Sequence, residues 1–364
     1  MIGQLALGGT EQQLVVLARG LRARGIDATV LVMFEGGQRE IALRDAGVPV
    51  VHLGFCRFGT RWLIARNAAA FGRLVLFLRR DRPDVLHAFL PHSYLIATPA
   101  ARIARVPVFV AGRRSLGTFK EGRTLLLATE RLATRATDLL IANATAVAAD
   151  TVRQERVSVA KVAVVYNGLP ESAFAEQPPA DIDAANPIVL CVANLKAYKG
   201  HHYLLEAVAR LQSQGRPCTL LLAGDGEARV ELEHHAAQLK LDARFLGQST
   251  QVGRLLARAD VVVLPSLQEG MSNAVMEAMA AGRPVVATNV GGTPELLEGR
   301  GILVRPSDSK ALADAIERML ADRSYASRMA TRAKLWSREN LHANRMVDEH
   351  VRIYSDLLRR KCAG

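Results

Sequence analysis

The chain has 364 residues, of which 49% are hydrophobic, 23% charged and 5% aromatic, and its formal net charge is +12. This length exceeds what one hydrophobic core usually supports, so two domains are expected, and the apolar content excludes a disordered chain. No apolar run is long enough for a transmembrane helix, and the first residues lack the charged start and cleavage site of a signal peptide.

The chain opens with a short segment and a glycine pair. Residues 1–7 precede Gly8 and Gly9, and a helix is predicted over residues 11–24. Glycines before a helix let a phosphate or a sugar approach the backbone, where the helix dipole favours negative charge. Two glycines alone are weak evidence for such a site. Because only half a strand precedes them, either the first strand is short or the true start lies upstream of Met1.

Short aliphatic runs alternate with helical patterns along the chain, which predicts parallel sheets with crossover helices. The strands predicted in the first half are residues 27–33, 48–52, 85–88, 108–111, 138–142 and 162–166. Those predicted in the second half are residues 188–192, 219–223, 243–246, 261–264, 284–287 and 301–304.

A segment rich in Pro, Ala and acidic residues, 169–187, is typical of a linker. It separates two predicted α/β domains, residues 1–168 and 188–340, each a doubly wound Rossmann-like sheet. A ligand cleft is expected between them, at the carboxyl ends of the strands. Residues 341–364 are predicted to be a C-terminal helix.

The basic residues are concentrated in the first half. Residues 1–170 carry 23 Lys and Arg against 12 Asp and Glu, whereas the remainder carries 24 against 23. Seven arginines recur through an apolar segment at residues 57–82. This segment could lie on an anionic membrane surface, or it could be a surface helix that its arginines only solvate. Few aromatic residues and no binding motif argue against nucleic acid.

The most informative segment, residues 264–287, reads LPSLQEGMSNAVMEAMAAGRPVVA. A buried strand leads into a loop carrying Glu269, and a helix containing Glu277 is predicted over residues 272–281. The amides of residues 270–273 would point out of the helix N-terminus, where phosphate oxygens are favoured. An anion site beside two carboxylates suits a sugar attached to a nucleoside diphosphate. The alternative is an ordinary amphipathic helix with two solvated acids.

Two other loops of the second half carry residues suited to a diphosphate. Residues 193–200 read ANLKAYKG and place Lys196 and Lys199 after a strand. A departing nucleoside diphosphate gains negative charge, and a cation that strengthens with that charge accelerates departure. Lys196 could instead be a solvated loop lysine. Gly224 and Gly226 follow another strand, and alone they would indicate an ordinary turn.

Together these motifs resemble the donor site of the family 4 retaining glycosyltransferases, which have the GT-B fold. The resemblance covers nearly the whole chain and is most specific at residues 189–304. It also implies that the C-terminal helix of residues 341–364 crosses back onto the first domain. It implies transfer of a hexose or N-acetylhexosamine from a nucleotide sugar, most often UDP-linked, to a hydroxyl of a cell-envelope glycan or lipid-linked acceptor. Lipopolysaccharide and other polysaccharide biosynthesis are the expected settings. The nucleotide sugar is a co-substrate, and no cofactor is expected.

The resemblance also implies roles for individual residues. Glu269 would contact the donor sugar, Glu277 the ribose and Lys199 the diphosphate. His92 is assigned to the acceptor side of the donor sugar, with His87 as the second choice. The other residues assigned to the nucleotide sugar are Gly8, Gly9, Lys196, Gly224, Gly226, Leu246, Gly270, Met271, Ser272 and Asn273.

The chain departs from the family pattern at Phe89, where some members have a second histidine, and at Asn194, where an arginine is usual. These departures leave open a non-catalytic glycosyltransferase-like scaffold. A nucleotide-sugar epimerase of the same fold is a further alternative. No metal site is expected, since the Asp-x-Asp at residues 181–183 lies in the predicted linker. We expect a cytoplasmic protein, with peripheral contact to the inner face of the cytoplasmic membrane through residues 57–82.

Overall fold

The structure is a computed structural model that describes residues 1–56, 61–120 and 122–362. It divides into two units. The first unit comprises Met1–Gly168 together with Ala343–Gly364, and the second comprises Leu169–His342. Residues 169–187, predicted to be a linker, are grouped with the second unit.

The first unit alternates strands and helices. In chain order its elements are α1 (Gly9–Ala23), β1 (Val30–Val32), α2 (Glu40–Asp45), β2 (Val50–His52), α3 (Arg61–Asp81), β3 (Val85–Phe89), α4 (Pro91–Ala104), β4 (Val108–Arg113), α5 (Thr124–Arg135), β5 (Leu139–Ala142), α6 (Thr145–Glu155) and β6 (Val162–Val164).

The strands of the first unit are parallel, with β1 beside β2 and a second group ordered β3-β4-β5-β6. The start of the chain lies between these two groups. Ile2 forms a parallel bridge with Val32, and the Met1 carbonyl accepts a hydrogen bond of 2.8 Å from the Phe89 amide. The predicted short first strand is therefore a single bridge. Burial of the Met1 α-amino group lowers its pKa to about 5.

The second unit contains one fully parallel sheet. Its elements are β7 (Ile188–Val192), α7 (His201–Ser213), β8 (Thr219–Ala223), α8 (Arg229–Gln238), β9 (Ala243–Gly247), α9 (Val252–Arg258), β10 (Val261–Leu264), α10 (Asn273–Ala280), β11 (Val285–Thr288), α11 (Thr293–Leu297), β12 (Ile302–Val304), α12 (Ser309–Ala321) and α13 (Arg323–Asn340). The strand order is β12-β11-β10-β7-β8-β9. This is the Rossmann order, in which the chain reverses direction across the sheet between β7 and β10.

Aliphatic residues hold this sheet between helices. Val189, Leu220, Val261 and Val286 are each 0% exposed, as expected for strands covered on both faces. Three of these helices, α10, α12 and α13, begin at capping side chains. Before α12, for example, the Asp308 carboxylate accepts the Ala311 amide at 2.8 Å.

The chain returns to the first unit through a final helix, α14 (Ala343–Cys362). Met346, Val347 and Ile353 of α14 share an apolar core with residues of α1, including Leu14 and Leu17. Within the described part of the chain, no helix has both the length and the hydrophobicity that a membrane span requires.

The predicted α/β fold class is confirmed, and each predicted strand is present within a few residues of its expected bounds. The strands predicted at 188–192, 219–223 and 261–264 agree with the observed bounds. The largest difference is at the strand predicted over 27–33, which begins at Val30. Asp27, before it, is exposed and ion-paired with Arg22, so the chain joins the sheet later than its sequence indicates.

Candidate functional site

The reversal of strand order between β7 and β10 marks where a ligand is expected in the second unit. The next strands, β8 and β11, lie on opposite sides of this pair. In open parallel α/β sheets, ligands bind beyond the carboxyl ends of the strands at such a point. The loop after β7 carries Lys196 and Lys199, and the loop after β10 carries Glu269.

The two loops are tied together by their backbones. The Leu267 amide donates a 2.8 Å hydrogen bond to the Tyr198 carbonyl. Gly200 has a left-handed φ of +67°, and a Cβ there would collide with the Pro265 carbonyl oxygen. Any side chain at position 200 would therefore separate the loops. This backbone contact fixes where Lys199 and Glu269 emerge.

Lys199 and Glu269 form an ion pair, with Lys199 Nζ 2.6 Å from Glu269 Oε1 and side-chain exposures of 15% and 9%. The buried Ser266 hydroxyl donates to the same Oε1 at 2.7 Å. The Thr288 hydroxyl donates in turn to the Ser266 carbonyl. Glu269 Oε1 thus accepts two hydrogen bonds, whereas Oε2 accepts none from the described residues. Neither Ser266 nor Thr288 belongs to a sequence motif that indicates these contacts.

This arrangement predicts that Ser266→Ala lowers kcat/KM for the donor about tenfold to a hundredfold. A hydrogen bond to a charged group contributes about 1.5–3 kcal/mol, and its loss frees the Glu269 carboxylate to rotate. Steady-state kinetics with the preferred donor measure the effect.

The matched control is Ser337→Ala. Ser337 is also fully buried in the second unit, and its hydroxyl donates to the Lys334 carbonyl at 2.9 Å. This variant should show a similar change in Tm but normal kcat/KM. Equal kinetics in the two variants would leave Ser266 with a structural role alone.

Helix α10 begins beside this pair. Ser272 is its N-cap, with the hydroxyl accepting the Val275 amide at 3.4 Å, and Gly270, Met271 and Ser272 are buried. The Gly270 carbonyl accepts the Gly292 amide at 2.7 Å, which joins this turn to the loop after β11. The structure thus brings Gly270, Met271, Ser272 and Asn273 to the positive end of a helix, with Glu277 in its second turn.

Gly224 and Gly226 follow β8, the strand next to β7. A Cβ at Gly224 would collide with the Ala193 carbonyl oxygen, and one at Gly226 with that of Leu195. These glycines therefore allow the loop after β8 to pack against the loop carrying Lys196. Lys196 itself has no ion pair with any described residue. Leu246 lies farther along the same edge, near the end of the outer strand β9, and is 38% exposed.

Two buried groups flank the ion pair. Burial, then the Lys199 and His202 charges, lower the pKa of His201 to about 4, so this ring is neutral at physiological pH. Burial also raises the pKa of the Cys191 thiol to about 12, which leaves it unreactive. His201 is 2% exposed, and neither ring nitrogen has a hydrogen-bond partner among the described residues.

The first unit has an equivalent reversal point, between residues 1–3 and β3. Gly8 and Gly9 begin α1 on one side of it, and His92 lies in the first turn of α4 on the other. Glu11, in the first turn of α1, is buried, and burial raises its pKa despite opposition from its own backbone amide and from Arg39. Gly8, Gly9 and His92 therefore share one edge of this sheet.

The two candidate histidines have different surroundings. His92 is exposed, and its ring meets Phe34 edge-on at 6.3 Å between centroids. Leu90, two residues before His92, has a φ of +71°, a strained value for a residue that has a Cβ. His87 Nδ1 is instead 2.7 Å from the Tyr354 hydroxyl of α14, and burial holds its pKa well below the ordinary value. The geometry favours His92 as the residue that a ligand can reach.

Arg113, the last residue of β4, and Arg114, which follows it, are buried rather than solvated at the surface. Arg113 is 5% exposed, and its Nε and Nη2 each donate to Glu155 at 2.8 Å. Arg114 is 8% exposed and donates to Asn167 at 2.8 Å, and burial lowers its pKa to about 10.

Arg113 belongs to a buried ionic network that sequence reasoning missed. Lys120 is paired with both Glu130 and Glu155, and the Tyr94 hydroxyl donates to Glu130. Both carboxylates are 0% exposed at the side chain. The network joins β4, α4, α5 and α6, and no local pattern in the sequence indicates it.

Comparison with known families agrees with this geometry. Residues 186–322 match the family model described as Glycosyl transferases group 1, and residues 7–172 match that described as Glycosyltransferase Family 4. The chain belongs to the family 4 glycosyltransferases.

This family 4 glycosyltransferase has relatives of known name and structure. It is 29% identical over 341 residues to the lipopolysaccharide core biosynthesis glycosyltransferase LpsE of Rhizobium meliloti (strain 1021), with 89% of each chain covered. The crystal structure of HepE from Anabaena in complex with UDP is similar, with a TM-score of 0.84 at 24% identity over 98% of this chain and 99% of that chain. Its complex with UDP-glucose has a TM-score of 0.82 at 24% identity over the same shares of each chain. These structures share the GT-B fold of the glycosyltransferase.

Proposed function

We propose that this glycosyltransferase moves a hexose or N-acetylhexosamine from a UDP-sugar to a hydroxyl of a cell-envelope glycan or lipid-linked acceptor, with retention of anomeric configuration. The observation that carries the proposal is the Lys199–Glu269 pair at the strand-order reversal, next to the N-terminus of α10. The name of LpsE, which places it in lipopolysaccharide core biosynthesis, and the UDP and UDP-glucose held by HepE support this choice.

The proposed roles follow the chemistry of each group. Lys199, with the amides that begin α10, binds the diphosphate, and Lys196 supplies a second cation. Glu269 accepts hydroxyls of the donor sugar, and Glu277 accepts the ribose hydroxyls. The glycines after β8 and the backbone near Leu246 lie on the nucleotide side.

The proposed reaction proceeds through an oxocarbenium-like state. The bond between the sugar's anomeric carbon and the diphosphate breaks while the acceptor oxygen bonds to that carbon on the same face. The departing phosphate oxygen takes the acceptor proton. Lys199 stabilises the charge that develops on the diphosphate, so the chemistry proposed here needs no metal ion. Within the described residues, no group of His, Cys, Asp and Glu is arranged to hold one.

His92 is assigned to the acceptor side of the donor sugar. His92→Ala is therefore expected to lower kcat about tenfold to a hundredfold, because one hydrogen bond made in the transition state is lost. The affinity for UDP should not change, which calorimetric titration can verify. His234→Ala, which removes an exposed histidine of the second unit, is the control. Normal transfer by His92→Ala would remove this residue from the reaction.

The proposed acceptor setting rests on the surface of α3. Ile64 and Leu76 of this helix are 70% and 67% exposed, and Arg66, Arg79 and Arg80 are exposed beside them. Apolar side chains among arginines suit an anionic membrane surface. Residues 57–60 of the predicted membrane segment lie outside the described residues.

A donor screen that reads nucleotide release tests the proposal. The purified protein is incubated with UDP-, GDP- and ADP-sugars and with an envelope lipid extract, and the products are examined by NMR. We expect UDP release, sugar incorporated into the lipid fraction and a retained anomeric configuration. An isomerised free sugar would instead establish an epimerase, and donor binding without hydrolysis or transfer would establish a scaffold.

A further inference from the structure

Helix α5 of the first unit presents two of its leucines to solvent. Leu125 is 78% exposed and Leu132 is 68% exposed. They lie seven positions apart, on one stripe of the helix, together with the exposed Ala128. Single exposed leucines are common, but a stripe of them on one helix needs an explanation.

The opposite face of α5 carries the polar groups that attach the helix to the protein. Glu130 and Thr134 are 0% exposed. Glu130 is paired with Lys120, Thr134 accepts a 3.0 Å hydrogen bond from Arg113, and the Arg131 guanidinium donates to the Gln154 carbonyl at 2.9 and 3.0 Å. The usual polarity of a surface helix is therefore reversed over much of α5.

Basic groups stand at both ends of this stripe. Arg123 precedes the helix and Arg135 ends it, and both are exposed. Lys161 donates to the Arg135 carbonyl at 3.1 Å. Asp138, near the same end, is ion-paired with Lys361 at 2.7 Å. Since the acid within α5, Glu130, is buried, the exposed charge of the helix is positive.

The start of α5 also forms an open hollow of about 530 Å³. Its lining combines one arginine, two threonines and two leucines with a glycine, namely Gly122, Arg123, Thr124, Leu125, Leu126 and Thr129. A guanidinium and hydroxyls beside leucines suit a group that has an anionic head and an apolar tail.

We propose that α5 docks on an anionic lipid bilayer, with Leu125 and Leu132 entering the acyl boundary and Arg123 and Arg135 contacting phosphate headgroups. This inference rests on the proposed envelope acceptor, and it adds a second surface to the one assigned to α3. The polar inner face of α5 explains how such a helix stays attached in water. The ionic network anchors it while its leucines remain available to lipid.

Vesicle sedimentation tests the proposal, with vesicles of phosphatidylcholine alone or mixed with an equal amount of phosphatidylglycerol. The variant is Leu125→Gln with Leu132→Gln. Its control is Val230→Gln with Leu335→Gln, which removes two apolar side chains of the second unit that are 78% and 61% exposed. We expect the α5 variant to bind mixed vesicles at least about tenfold more weakly, and the control variant to bind like wild type.

The contribution of the two arginines to vesicle binding is tested separately. Arg123→Gln and Arg135→Gln should each weaken binding to the mixed vesicles about fivefold, with no change on pure phosphatidylcholine. UDP binding, measured in parallel by calorimetry, should be the same in every variant.

Equal vesicle binding by wild type and the α5 leucine variant would overturn the role of α5 and leave that of α3 standing. If the wild-type protein does not bind vesicles but is a dimer, and the leucine variant is a monomer, then the stripe contacts a second copy of the chain instead of lipid. Vesicle binding that depends on the leucines, without any UDP binding, would support lipid docking through α5 and contradict the proposed UDP-sugar donor.

Discussion

Lys199→Ala is expected to lower kcat about a hundredfold to a thousandfold, with a smaller effect on the affinity for UDP. Removing one preorganised group that stabilises transition-state charge typically has an effect of this size. Lys199 Nζ is held 2.6 Å from Glu269 Oε1, so its position is fixed before a donor arrives. The diphosphate gains charge as it departs, so the lysine acts most strongly on the transition state. Single-turnover kinetics separate this effect from binding.

Lys196→Ala is the matched control, because Lys196 lies three residues earlier on the same loop. Without an ion pair to a described residue, Lys196 is less fixed, and its loss should lower kcat much less. If Lys199→Ala turned over the donor like wild type, or if Lys196→Ala were the more damaged variant, the proposed role of Lys199 would be wrong.

Glu155→Gln is expected to lower the free energy of unfolding of the first unit by about 3–5 kcal/mol. The change leaves the buried cations Arg113 and Lys120 facing the single carboxylate of Glu130. Uncompensated buried charge is costly, whereas a surface pair contributes about 1 kcal/mol or less. Thermal melts measure the loss, and hydrogen exchange at β4 and β5 shows whether it is confined to the first unit.

Glu349→Gln is the control, because Glu349 is paired at 2.7 Å with Arg352 on the exposed side of the first unit's last helix. It should leave the stability nearly unchanged. A similar loss of unfolding free energy in both variants would mean that the buried network contributes no more to stability than a surface ion pair.

The same network makes the stability of the first unit depend on pH. Burial alone would raise the pKa of Glu155, but the hydrogen bonds and charge of Arg113, with Lys120 and Thr134, hold it below the ordinary value. A carboxyl with a lower pKa in the folded state stabilises above its unfolded pKa, and this stabilisation is lost as the pH falls through the folded pKa. The difference between wild type and Glu155→Gln should be full near neutral pH and shrink below about pH 4.

Local patterns were enough to predict much of the fold. The aliphatic runs that became β7, β8 and β10 were bounded correctly, because buried parallel strands are nearly continuous in apolar residues. The loop carrying Glu269 and the start of α10 were also placed correctly, since an N-cap serine and a following helical pattern mark that boundary.

Contacts between residues distant in sequence could not be predicted in this way. Ser266 lies three residues before Glu269, but its role depends on Lys199, which reaches the same oxygen from another loop. Arg113 ends β4, in a position typical of a ligand contact, and only the folded chain shows Glu155 opposite it. The reversed polarity of α5 has the same origin, because its polar face is matched by partners from other elements.

The most direct measurement is a crystal structure of the protein soaked with UDP. We expect the pyrophosphate beside Lys199 and the N-terminus of α10, with the ribose hydroxyls bonded to Glu277. Nucleotide bound elsewhere on the chain, with no nucleotide at that edge of the sheet, would contradict this expectation.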